Sequence, residues 1–179
     1  MKVTVEQSLP ATVVDAFYPM YVAAFDPLRT RAAARHVLSP EEFAAEMADS
    51  RIDKYVVWDD EGTPMAMTTL ATDLAAVPWI SPEYFAAKYP EHLARGAVFY
   101  LGYTLVAPGR RRPGVFPLMI ERMMRRLIEA NAVCGFDVCA HNDTHGIGRQ
   151  VAAMCRAGNA DIAKLDTQTY YSFAFSGAA

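Results

Sequence analysis

The most constraining feature of this chain is a nearly continuous apolar run, Ala97 to Val106, that ends in a turn and gives way to a long amphipathic stretch. An apolar run of this length without alternation reads as a central strand covered on both faces. Two Pro-Gly pairs, Pro108-Gly109 and Pro113-Gly114, punctuate the turn. Beyond them Phe116, Met119, Met123, Leu127 and Ala130 mark one face of a helix, and Glu121, Arg122, Arg125 and Glu129 mark the other. A strand of this kind needs sheet neighbours, and the helix needs a sheet to lie on.

The flanking segments supply both. Lys2 to Ser8 alternates as a half-buried strand does. From Thr12, read as a cap with Asp15 three residues on, Val14, Phe17, Tyr21, Ala24 and Leu28 fall at helical spacing. Pro19 inside that pattern predicts a kink or a split. Arg29 to Val37 reads equally as helix or loop, whereas Ser39-Pro40-Glu41-Glu42 starts a helix running to about Met47. Ile52–Trp58 and Pro64–Thr72 read as a hairpin about Asp60-Glu61-Gly62. Ser81-Pro82-Glu83 opens a short helix that stops before Pro90. Gly135 to Ala140 reads as a strand, Gly146 to Ala157 as a helix stopped by Gly158, and Asp161–Tyr170 with Ser172–Phe175 as a closing strand pair. The order predicts a mixed α/β fold with a central, mostly antiparallel sheet, and one domain over residues 1–179.

Composition narrows the function. A formal net charge of -3 argues against a chain whose main task is coating nucleic acid. No apolar stretch is long enough to span a membrane. Met1 to Pro10 lacks the basic start and apolar block of a signal peptide. Cys134, Cys139 and Cys155 are odd in number and irregularly spaced, so free thiols and a cytoplasmic location are expected.

The turn between strand and helix carries the chemistry. It brings free backbone N–H groups to the positive end of a helix dipole, beside Arg110, Arg111 and Arg112. That combination suits a phosphate or pyrophosphate. A solvated basic loop is the bland alternative. Neither Gly-x-x-x-x-Gly-Lys-Ser/Thr nor Gly-x-Gly-x-x-Gly is present, so the common nucleotide loops do not apply.

Arg111-Arg112-Pro113-Gly114-Val115-Phe116 resembles the acyl-CoA-binding motif of the GNAT superfamily, Gln/Arg-x-x-Gly-x-Gly/Ala. It matches at Arg111 and Gly114, with Pro108 three residues ahead, and departs at Phe116, where the family has a small residue. The element order is similar over essentially the whole chain. The resemblance implies a GNAT-like fold and an N-acyltransferase using acetyl-CoA or another acyl-CoA, acting on an amine of a small molecule or peptide. It implies that Arg111, Arg112, Pro113, Gly114, Val115 and Phe116 hold the pyrophosphate. Thr104, Leu105 and Val106 would lie along the pantetheine and offer a backbone donor to the thioester carbonyl. Gly102 is then expected to bulge where the family parts two strands. Asn142 sits where such enzymes often carry Asn, while Met154 stands where their acidic Tyr is usual.

With that Tyr absent, Tyr170, Tyr171 and Cys155 are candidates for the acid, each equally readable as packing. Asp73, Glu83, Asp137 and His145 are open candidates for the base. Cys139, His141 and His145 are metal-binding types, but no second pair completes a site, and no metal is expected. The aromatic-rich segment Ala75 to Gly96 could wall an acceptor pocket, lengthen an acyl channel, cover a sheet edge or form a homodimer contact. Two rival readings remain: an acyl-carrier-protein donor meeting the arginines, as in autoinducer synthases, and a non-catalytic CoA-binding module.

Overall fold

The computed structural model describes residues 1–107 and 114–175. Five strands form one sheet in the order β1 (Lys2–Glu6), β2 (Ile52–Trp58), β3 (Pro64–Ala71), β4 (Val98–Val106) and β5 (Val133–Gly135). The first four pair antiparallel and β5 joins β4 in parallel. The fold is mixed α/β with a mostly antiparallel sheet, as expected.

Helices cover both faces. On one lies α5 (Val115–Glu129), whose Val115, Met119, Ile120, Met123 and Leu127 pack on Tyr55, Val57, Leu70 and Phe99. On the other lie α1 (Ala11–Phe25) and α2 (Pro40–Ala48), which bury Phe17, Tyr21, Phe43 and Met47 against Val56, Met67 and Leu105. Burying one such aromatic contributes about 2–3 kcal/mol, so each face is closed by several of these contacts rather than by any one. A third cluster under α3 (Pro82–Lys88) joins Phe85 to Val98 and Tyr100. The short α4 (Pro90–Ala94) follows α3, while α6 (Ala140–Thr144) and α7 (Ile147–Ala157) follow β5.

Local chemistry explains the boundaries. Ser39 Oγ accepts from Glu42 N at 3.2 Å while Ser39 N donates to Glu42 Oε2 at 2.7 Å, a complete capping box for α2. Several expectations need correction. Thr12 does not cap α1: Pro10 is its N-cap and offers no side-chain bond. The helix runs unbroken past Pro19, which is exposed, so the carbonyl deprived of its donor faces water. On the expected face of α5 Met119, Met123 and Leu127 are buried, but at its start Val115 is buried and Phe116 is 40% exposed.

The C-terminal third departs most. The strand expected over Gly135–Ala140 is instead β5, Val133–Gly135, and α4 and α6 were not anticipated. A Cβ on Gly135 would come within 2.8 Å of the Tyr100 ring, so the strands pack there only because the side chain is missing. The closing strand pair over Asp161–Tyr170 and Ser172–Phe175 is absent among the described residues, where 160–175 carry no regular structure.

Candidate functional site

The site begins with a defect in β4. Thr68 faces Thr104 and Leu70 faces Leu101, so two residues of β4, Gly102 and Tyr103, stand opposite the single Thr69. Glycine is required there: a Cβ on Gly102 would collide with Thr69 Oγ1, which accepts a hydrogen bond from Tyr103 N at 3.2 Å. The bulge expected at Gly102 is therefore present.

Beyond the bulge β4 loses its neighbour. Parallel pairing with β5 covers only Val98, Phe99 and Tyr100. Along Leu101–Val106 one strand edge has no strand beside it among the described residues. An unpaired row of backbone donors and acceptors is a template for any extended chain that carries amides. This edge leads toward the start of α5. There Gly114 caps the helix at φ 96, a left-handed conformation that favours glycine, and Leu118 N donates to its carbonyl at 3.0 Å. Pro117 has no N–H, so the first turn presents those of Val115 and Phe116.

A narrow slot opens on the opposite face of the sheet. Gly102, Thr69 and Glu46 of α2 line it. Its walls are Ile52, Ala71, Ala76, Val77, Trp79 and Tyr100. Burial pushes the Glu46 carboxyl up to about 7, offset in part by the Lys54 ammonium. No ion pair or hydrogen bond of normal geometry reaches that carboxyl among the described residues; the Tyr103 hydroxyl is buried close by without closing one. Burial, reinforced by Glu46, holds that phenol well above its ordinary range. Lys54 is fully buried and donates to Gln7 O at 2.9 Å and Asp49 O at 2.7 Å. Desolvation brings its ammonium down to about 8, against the pull of Asp49, Glu46 and Asp53. At the slot's rim Asp137 Oδ1 accepts from Tyr100 Oη at 2.7 Å and from Trp79 Nε1 at 3.1 Å. Burial and Asp137 together keep the Tyr100 phenol protonated.

The structure separates the anticipated residues into groups. Thr104, Leu105 and Val106 lie on the open part of β4, with Thr104 Oγ1 2.7 Å from Thr68 Oγ1 and Leu105 buried under α1 and α2. Gly114, Val115 and Phe116 begin α5, while Pro108, Arg110, Arg111, Arg112 and Pro113 lie outside the described residues. Asn142 is half-buried in α6. Cys155 is on α7, its thiol raised by burial, close enough to Cys134 to raise it further; desolvation pushes Cys134 up to about 12. Tyr170 and Tyr171 do not stand on strands: they are 53% and 90% exposed in irregular chain. Asp137 does not line the slot but bonds two of its residues through Oδ1, and neither Asp73 nor Glu83 lines it. The His141 and His145 rings are tilted at 46° with centroids 4.4 Å apart, and His145 Nδ1 lies 2.6 Å from His141 O. Among the described residues no three His, Cys, Asp or Glu side chains gather about a common point that could hold a metal ion.

Glu46 was missed because nothing in its helix pattern distinguishes it from a solvated carboxylate. Lys54 carried a signal, since a lysine in the middle of the apolar strand Ile52–Trp58 must find partners in the interior.

No family model matches the chain, and no curated protein matches it in sequence. Solved structures do match in shape. A putative acetyltransferase from Agrobacterium tumefaciens superposes with a TM-score of 0.56 at 15% identity, over 96% of this chain and 100% of that one. A ribosomal-protein-alanine N-acetyltransferase from Brucella melitensis biovar Abortus gives 0.56 at 12% identity, with the same 96% and 100% coverage. An aminoglycoside N-acetyltransferase solved in complex with CoA gives 0.50 at 14% identity, over 96% of this chain and 98% of that one. The fold is that of the GNAT acyltransferases. In a GNAT fold the bulged, half-unpaired β4 and the start of α5 belong to one feature, a parted sheet that opens onto a helix N-terminus. No helix among the described residues is long and apolar enough to cross a membrane.

Proposed function

We propose that this protein is an acyl-CoA-dependent N-acyltransferase, moving an acetyl or related acyl group to a primary amine of a small molecule or peptide. The observation that carries the reading is the open edge of β4 over Leu101–Val106, running from the bulge toward the start of α5, where Gly114 offers no side-chain cap. That geometry fits CoA. Pantetheine is an extended chain with two amides, and an unpaired strand edge supplies the complementary donors and acceptors. The Val115 and Phe116 N–H groups, at the positive end of the α5 dipole, suit a pyrophosphate. The CoA seen in the aminoglycoside N-acetyltransferase of the same fold supports the choice of donor.

The chain's contribution is positioning and electrostatics. A thioester held along β4 would place its carbonyl near the bulge, where the Thr104 N–H on the open edge can polarise it; the Leu105 N–H, in phase with those of Tyr103 and Ala107, faces β3 instead. Attack by an amine then breaks the C–S bond, and the thiolate takes a proton released by the nitrogen. Tyr100 is an unsuitable source of that proton, since its hydrogen is held by Asp137.

The test is calorimetry with acetyl-CoA on the wild type and on Phe116→Asp. Phe116 is 40% exposed and an acid in the first turn favours a helix, so the variant should fold with an unchanged or higher Tm. The added charge should weaken acetyl-CoA by roughly tenfold or more. Unchanged affinity would remove the pyrophosphate from the start of α5. Transfer from an acyl-carrier thioester but not from acetyl-CoA would overturn the choice of donor.

A further inference from the structure

We propose that the outer edge of β1 docks a second copy of this chain, the two β1 strands pairing antiparallel about a two-fold axis through Thr4. This edge lies across the sheet from the open part of β4, so the contact stands whether or not the acyl-transfer reading does.

The edge is bare. β1 ends the strand order, and among the described residues no strand lies on its outer side. Its five residues carry no proline, and their pairing with β2 has no bulge, so two common guards of an exposed edge are missing. Val5 stays 36% exposed. The chain's own aromatic tail starts elsewhere. Tyr84 Oη donates to Leu165 O at 3.3 Å, and Leu165 packs with Val98 and Tyr100 of β4.

The hydrogen-bond phase fixes which groups face outward. Thr72 N donates to Arg51 O at 2.8 Å, one register step before the pair Ile52 and Ala71. In an antiparallel ladder both backbone groups of a residue point to one side, and the side alternates along the strand. Arg51, Asp53 and Tyr55 therefore face β3, while Lys54 and Val56 face β1. Their partners on β1, Glu6 and Thr4, face back toward them. Val3 and Val5 are left to point N–H and C=O away from the sheet.

A second β1 can meet these groups in a register that also matches charge. Outward residues must stand opposite outward residues, and full overlap of the two strands sets Val3 against the partner's Val5. Each such pair exchanges both backbone bonds. The same register puts Lys2 opposite the partner's Glu6 at both ends, and Thr4 opposite the partner's Thr4 on the axis. Among the described residues neither Lys2 nor Glu6 has an ion pair within its own chain. Side chains alternate between faces, so the valines cover one another on the α5 side while the charges and Thr4 meet on the other. The strand Lys-Val-Thr-Val-Glu is thus complementary to its own reverse, which is what an isologous contact requires. No other partner is specified by the residues of this edge.

Sedimentation velocity at low ionic strength, from about 1 µM to about 1 mM, brackets the weak dimer that so short an edge allows, with a Kd on the order of 10–100 µM. Lys2→Glu and Glu6→Lys should each weaken association roughly tenfold or more, because like charges then meet at both ends. Mixed in equal amounts, the two variants should associate with about the wild-type Kd, since opposite charges meet again. Val5→Pro removes an outward N–H and leaves the bonds to β2 in place, so it should abolish association while dilute protein keeps its Tm within a few degrees. Lys2 is exposed, so Lys2→Glu carries the test even where Glu6→Lys, opposite Lys54, lowers the Tm. A wild type that stays monomeric throughout, a dimer indifferent to Lys2→Glu and Val5→Pro, or folded charge variants that stay apart when mixed would overturn the pairing.

Discussion

The first four strands and the segment 160–175 are written in a similar sequence style, yet one is the best-ordered part of the sheet and the other carries no regular structure. β1 alternates Val3 and Val5 with polar residues; Tyr171, Phe173 and Phe175 alternate with Ser172 and Ala174 in the same way. β1 pairs residue for residue with β2, from Lys2–Trp58 to Glu6–Lys54. Segment 160–175 pairs with no strand, although β5 beside it offers three residues, and its Tyr171, Phe173 and Phe175 stay 85–90% exposed. Alternation allows a strand, but a partner edge of matching length makes one. The same parting of β4 from β5 that shortens this edge creates the cleft, so the poorly paired side of the sheet is also the useful one.

The largest test of that contrast is Gly102→Val. Its side chain would drive into Thr69 Oγ1, and we expect a loss of about 2–4 kcal/mol in urea unfolding together with loss of acetyl-CoA affinity. Adding Thr69→Ala should recover at least half of the stability; no recovery would mean the bulge is not held by this contact. Next is Lys54→Met, which leaves Gln7 O and Asp49 O without a donor and should cost about 1–3 kcal/mol. It also strips Glu46 of its neighbouring cation, so the Glu46 carboxyl should be raised further.

Glu46→Gln should act the other way on stability. The folded carboxyl is raised to about 7 from 4.5, so its contribution is full below about pH 4.5 and is lost as pH rises through 7. The variant has no such loss. Its Tm should therefore gain on the wild type between pH 5 and pH 8, by about 1–2 kcal/mol in free energy at the upper end. A constant difference across that range would mean Glu46 is not held at a raised value. The smallest effect is expected from Tyr171→Ser, Phe173→Ser and Phe175→Ser combined, within about 0.5 kcal/mol, because these side chains bury almost nothing. A larger change on dilution-dependent unfolding would show that they are covered by a second copy.

Most of the fold was legible because its signals are local. The Ser39 capping box, the Ile52–Trp58 and Pro64–Ala71 hairpin and the apolar run of β4 each state their conformation within a few residues, and the structure keeps them. Gly114 was legible for the same reason as a helix start, whereas the bulge at Gly102 was expected from the family resemblance. The closing strand pair was misread because pairing is not local. Tyr170 was carried along with it, and Phe116 turned outward because the phase of α5 is set by the sheet beneath it.

The sequence by itself determined the order of elements, the antiparallel hairpin and the turn that opens α5, since these depend on spacing, glycine and capping chemistry. Only the tertiary structure decided where β4 and β5 part, and which carboxylate stands in the slot. Glu46 reads in sequence like its helix neighbours Glu41 and Glu42, which stay at the surface. Its elevated proton affinity arises because α2 packs onto the sheet so that this one carboxyl is drawn partly out of water.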